Sequence, residues 1–135
     1  MKRSNSTRPA PTAASGTTWS GNVRAVSFVV FGQMYSMKNS KRGHFKHEKA
    51  LRFEQDFALQ VPPGARLGIG SRKELLRATV TVWYPSWRQD VDFALIYDLL
   101  QRTGVVSNDR WIRQRAEFAE VDPANPRCEI TVEAI

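Results

Sequence analysis

From Leu76 to Tyr84 apolar and polar side chains alternate without a break. Ala78, Val80 and Val82 fall on one side, and Arg77, Thr79 and Thr81 on the other. A period of two commits the segment to a strand with one buried and one wet face, and Pro85 ends it. The last run repeats the pattern, with Cys128, Ile130, Val132 and Ala134 opposite Glu129, Thr131 and Glu133. A third run, Val26 to Phe31, is β-branched and aromatic and is ended by Gly32, which reads as a buried strand.

Such strands need amphipathic partners, and two stretches qualify. Between Lys46 and Gln60, Ala50, Phe53 and Phe57 recur at helical spacing, with Leu51 and Ala58 widening the stripe. Val61-Pro62-Pro63-Gly64 terminates that helix. Phe93 to Arg102 is apolar at Phe93, Leu95, Ile96, Leu99 and Leu100, with Gly104 placed to cap its C-terminus. Residues 64–74 read as a loop, 110–120 as a further strand, and Asp122-Pro123-Ala124-Asn125-Pro126 as a turn. The order β-α-β-α-β-β predicts an α+β fold, a mixed sheet with helices packed against it.

A length of 135 residues suits one domain. Residues 1–22 are rich in Ser, Thr, Pro, Ala and Gly and read as a disordered arm, with Trp19 their one large apolar side chain; the domain is expected over 23–135. No apolar run approaches 18 residues, and no apolar stretch follows the charged start, so neither a membrane span nor a secretory signal is expected. The single cysteine, Cys128, cannot form an internal disulfide, which fits a cytoplasmic protein; its place on the apolar side of a strand suits the core. No phosphate-binding Gly-x-x-x-x-Gly-Lys loop is present, so no nucleotide cofactor is expected.

Twenty Lys and Arg against 13 Asp and Glu leave a formal charge of +7, which favours a polyanionic partner, nucleic acid above all. The basic residues are clustered. Lys38, Lys41, Arg42, Lys46, Lys49 and Arg52 share the span 38–52 with one acid, Glu48, and aromatic Tyr35 and Phe45 lie among them. This suits a surface that grips phosphates; the plainer alternative is a solvated loop and helix face. Arg110, Arg113 and Arg115 form a second set, with Arg113 and Arg115 alternating along the expected strand. They flank a cleft or simply decorate an exposed sheet face. His44, His47 and the distant Cys128 are too few for a zinc site. Trp83 and Trp87 read as packing or interface residues rather than base-stacking ones.

Asp90 and Asp92 follow the strand ending at Tyr84, one residue apart, and Asp109 follows the next helix. In extended backbone, side chains two apart point the same way. If the intervening helix folds back along the sheet, Asp109 is expected to join the pair. Three carboxylates on a basic protein would suit a hard cation, Mg²⁺ or in its place Mn²⁺, acting on a phosphodiester. The competing reading makes Asp92 a helix N-cap and Asp90 a solvated partner of Arg88.

The order of these motifs resembles the RusA family of Holliday junction resolvases. The resemblance is carried by Asp90-Val91-Asp92, by Tyr97-Asp98-Leu99-Leu100 leading to Gly104, and by the acidic turn Ser107-Asn108-Asp109. It is also carried by the loop Ser36-Met37-Lys38-Asn39-Ser40-Lys41-Arg42 after Phe31-Gly32, and by Asn125-Pro126-Arg127-Cys128-Glu129-Ile130. It spans about residues 26–134. It implies a homodimeric endonuclease that nicks four-way DNA junctions symmetrically, with Asp90, Asp92 and Asp109 as catalytic Mg²⁺ ligands. The family uses the basic loop region, so DNA contacts are expected from Lys38, Asn39, Lys41, Arg42 and Lys46, and the second basic set adds Arg110 and Arg113 as candidates. Two departures stand out. The family's Asn after the second acid is Phe93 here, and its helix lysine falls at Ala94 or Ile96, depending on alignment. No lysine lies on this helix, which leaves Lys38 or Lys41 as substitutes. An ungapped alignment would instead set Arg88 and Asp90 on the acidic pair.

Overall fold

The computed structural model describes residues 16–20, 23–35 and 44–135, with side chains described over 24–35 and 48–135. Five strands and two helices follow one another: β1 (Gly16–Ser20), β2 (Val23–Phe31), α1 (His44–Gln60), β3 (Leu76–Tyr84), α2 (Phe93–Arg102), β4 (Ile112–Val121) and β5 (Arg127–Ala134). Short 3₁₀ turns occupy Pro63–Ala65 and Asp109–Trp111. The strands form one mixed sheet in the order β1-β2-β5-β3-β4. Every neighbouring pair is antiparallel except β3 and β4, which run parallel. The α+β class and the order of the later elements agree with the sequence pattern.

Two boundaries differ. The segment read as an arm to residue 22 contributes β1, which pairs with Val23–Ser27 of β2. Thr17, Thr18 and Trp19 have the β preference this needs, but their Ser- and Pro-rich surroundings obscure it. The strand expected over 110–120 starts at Ile112, because the Asn108 side chain accepts a hydrogen bond from the Arg110 N–H at 3.0 Å and winds Asp109–Trp111 into a turn.

The alternation in β3 becomes burial: Leu76, Ala78, Val80, Val82 and Tyr84 are all in the core. Register places Val26, Phe28 and Val30 of β2 and Cys128, Ile130 and Val132 of β5 on the same face. Phe53 and Phe57 of α1 pack onto this face, Phe57 edge-on to Phe28 with ring centroids 6.3 Å apart. Leu95, Ile96, Leu99 and Leu100 of α2 complete the core. Burial raises the Cys128 thiol to about 12, so it stays protonated and acts as a small apolar side chain. On the opposite face Trp83 is half-buried under the Arg127 guanidinium, 4.4 Å from its ring, and Phe118 of edge strand β4 is 50% exposed.

Arg24 of β2 ties the sheet to the chain ahead of β3. Its Nε lies 2.8 Å from one carboxylate oxygen of Glu74, and a second guanidinium nitrogen holds the other. That guanidinium, assisted by the Gly70 N–H and despite burial, holds the Glu74 carboxyl below its ordinary value. An acid with a depressed pKa adds stability above its unfolded pKa, and this is lost as pH falls through the folded value. Glu74→Gln is therefore expected to cost about 1 kcal/mol at neutral pH, a modest figure because the pair is part-exposed. The gap between the two proteins should begin to shrink as pH falls into the ordinary carboxylate range, about 4.5, and go on shrinking below it. Urea midpoints from pH 7 to pH 3 check this, and a constant gap would exclude the ion pair as its source.

Candidate functional site

The parallel pairing of β3 and β4 decides where the acids go. A chain leaving the end of β3 must return to the level of its start before a parallel strand can begin. Helix α2 makes that return, since Leu76, the first residue of β3, pairs with Ile112, the first of β4. Asp90 and Asp92 therefore sit at the sheet edge where β3 ends, and Asp109 at the edge where β3 and β4 begin.

Contacts along α2 agree. Asp92 is its N-cap, accepting from the Leu95 N–H at 3.4 Å, and is 5% exposed. Asp109 is anchored to the last turn, where its N–H donates to the Gln101 side chain at 3.0 Å. Asp92 and Gln101 are nine residues apart, about 13 Å of helix axis. The expectation that the three aspartates meet within one chain is thus not met: folding back along the sheet carries Asp109 away from the pair. Among the described residues no group of three or more His, Cys, Asp or Glu side chains lies close enough to hold a metal ion. For Asp92 the N-cap reading describes what the side chain does, while Asp90 is exposed beside it. Two carboxylates, one engaged in capping, do not fit a Mg²⁺ site that draws three from one chain.

Around the pair the environment is partly apolar. The Tyr84 hydroxyl donates to Met34 Sδ at 3.8 Å. Burial raises its pKa to about 12, against a lowering hydrogen bond from the Asp92 backbone, and the charges of Asp92 and Asp90 add to the rise. Tyr84 thus stays a neutral donor beneath the two acids. Met34 follows β2 and lies, with Tyr84, at the same edge as Asp90 and Asp92. Lys38, Asn39, Lys41 and Arg42 lie outside the described residues, as does the side chain of Lys46 at the start of α1. Farther along α1, Lys49 is exposed with its Nζ 5.6 Å from the centre of the Tyr35 ring, and Arg52 is exposed.

The second basic set divides. Register skips Arg113, since Leu76 pairs with Ile112 but Arg77 with Gln114. This bulge breaks the alternation expected of Arg113 and Arg115. Arg115 turns to the helix-covered face, 4.2 Å over the Tyr97 ring, whose hydroxyl donates to Glu117 at 2.7 Å. Arg113 instead reaches back to the Arg110 carbonyl at 3.2 Å, and Arg110 lies over the Trp111 ring at 4.8 Å. Both remain exposed at the Asp109 edge. Asp98 is structural, bridging to Arg102 at 2.6 Å, while Arg102 also holds Glu54 of α1 at 2.9 Å. Trp87 is 77% exposed in the turn ahead of the acids.

Sequence reasoning passed over Arg72 and Lys73, exposed near the Asp109 edge. The signal was present as two cations between Ser71 and Glu74, a spacing that suits a tight turn. No described helix is long and apolar enough to cross a membrane. No protein-family model matches the sequence, and no curated protein matches it.

Proposed function

We propose that this chain is a Mg²⁺-dependent DNA endonuclease that nicks four-way junctions as a cytoplasmic homodimer, its acidic centres assembled between two copies. What supports this reading is the order of motifs along the chain, Asp90-Val91-Asp92 through Asp109, on a basic protein; with Asp90 and Asp92 at one end of α2 and Asp109 at the other, it requires two copies. One chain cannot bring all three to one cation. Two copies related by a two-fold axis can, if Asp90 and Asp92 of one protomer face the partner's Asp109, and the symmetry then gives two equivalent centres. A hard cation there, Mg²⁺ or Mn²⁺, would neutralise charge on phosphoryl oxygens and make bound water more acidic. The chain's own contribution would be positional, α2 separating the two acid sites, while the cations of the span 38–52 would grip the phosphodiester. The charge of +7 supports a polyanionic substrate.

A second reading, a DNA-binding protein of this type with impaired catalysis, is favoured by the absence of lysine from α2 and by the capping role of Asp92. One assay separates the two. A synthetic four-way junction incubated with the protein and Mg²⁺ should yield paired nicks placed symmetrically on opposed strands. Junction binding without cleavage in either Mg²⁺ or Mn²⁺ would establish the second reading instead.

A further inference from the structure

Ser71 and Glu74 exchange backbone hydrogen bonds of 3.0 Å in both directions, closing a two-residue turn with Arg72 and Lys73 at its tip. The Ser71 hydroxyl braces the tip by accepting from the Lys73 N–H at 3.1 Å. Glu74, the turn's only acid, is engaged by Arg24 and the Gly70 N–H, so it leaves the two cations uncompensated. The turn is fastened to the segment carrying the second basic set. Ile69 bridges Val106, the Ser107 N–H donates to the Ile69 carbonyl at 2.9 Å, and the Ser107 hydroxyl donates to the Gly70 carbonyl at 2.7 Å. Gly70 has a φ of +105°, and a Cβ there would lie 2.8 Å from Leu76 Cδ1 and 3.3 Å from Trp111 Cβ. Only glycine lets the turn backbone lie this close to Trp111, the residue over which Arg110 is stacked.

We propose that Arg72, Lys73, Arg110 and Arg113 form one surface that binds the phosphate backbone of a DNA arm. The four side chains are exposed, and among the described residues none takes part in an ion pair. They project from a braced turn, a capped 3₁₀ turn and a bulge, so their spacing is set by the fold. Asn108 Oδ1 is taken by the Arg110 N–H, so the surface offers chiefly cations, which suit phosphates. The surface adjoins Asp109, and in the proposed dimer it would flank the centre that Asp109 joins, so the choice of DNA rests on the reading above. Binding can nevertheless be measured without nicking.

The test uses the full chain in EDTA, with fluorescence anisotropy of a labelled four-way junction and a plain duplex across a salt series. The variants are Arg72→Ala with Lys73→Ala, and Arg110→Ala with Arg113→Ala. The charge-matched control, Arg77→Gln with Arg102→Gln, removes two arginines already paired with Glu133, and with Glu54 and Asp98. Each patch variant should weaken binding about tenfold or more near 0.1 M salt and flatten log K against log salt by about 0.9 for each phosphate no longer neutralised. Its circular dichroism melt should match wild type, and the control should keep the wild-type slope. Patch variants with wild-type slope and affinity, or a control that falls equally, would overturn the proposal. Tighter binding of an RNA hairpin than of the junction would overturn the choice of DNA. A wild type that binds as described yet never nicks in Mg²⁺ removes the nuclease reading and leaves the surface standing.

Discussion

Asp90→Asn and Asp109→Asn should each abolish junction nicking, by roughly a thousandfold or more, the scale of losing one preorganised charge-stabilising group; an equimolar mixture of the two should recover activity. The recovery follows from the separation of the acids. In a mixed dimer, one centre combines both substitutions and the other combines neither. Random exchange puts about half the protein in mixed dimers with one intact centre each, so about a quarter of wild-type centres should return. Because each such dimer has a single working centre, its products should be single nicks, whereas wild type gives pairs. Junction binding should survive in both variants, since neither removes a cation. If every centre were built within one chain, the mixture would stay as inactive as its components. That result would remove the two-copy arrangement, and with it the only way these three residues can share a metal.

The same separation shows where sequence reasoning stops. Alternation in Leu76–Tyr84 and Arg127–Ala134 sets which side chains are buried, because slipping a strand by one residue would turn its whole apolar set to water. The caps, breakers and apolar stripe of α2 place it at Phe93–Arg102, as read. Even the competing interpretation of Asp92 was legible, since an Asp just ahead of an apolar periodic stretch is an ordinary helix start. None of these local signals says which strand pairs with which, or in what direction. Had β4 been antiparallel to β3, Asp109 would have arrived beside Asp90; parallel pairing sends it to the far edge. The bulge at Arg113 escapes for a related reason. It depends on the partner strand, whereas the alternation of Arg113 and Arg115 is a property of one strand alone. The turn carrying Arg72 and Lys73 gains its meaning only from Trp111, some forty positions later, which packs against Gly70.

Phe57→Ala is expected to destabilise the protein by about 3–5 kcal/mol, the cost of an emptied aromatic site in a close-packed core. Phe57 is fully buried, set edge-on between Phe28 of β2 and Phe53 one helical turn earlier, at 6.3 and 6.1 Å. The cavity has little chance to collapse, because Phe28 is fixed by strand register and Phe53 by the helix. Domains of this size hold about 5–15 kcal/mol in all, so the variant should be marginal at 37 °C. Phe57→Leu keeps most of the volume and should lose under about 2 kcal/mol. Leu59, two residues along and 83% exposed, is the internal control, and Leu59→Ala should change stability by no more than about 0.5 kcal/mol. Denaturant unfolding of the three variants provides the comparison, and similar losses at positions 57 and 59 would contradict the packing of α1 on the sheet. The consequence extends to binding, because the same helix presents Lys49 and Arg52 on its outer side. Loosening α1 at Phe57 should therefore weaken DNA binding only in proportion to unfolding, whereas replacing Lys49 or Arg52 should weaken it with stability intact.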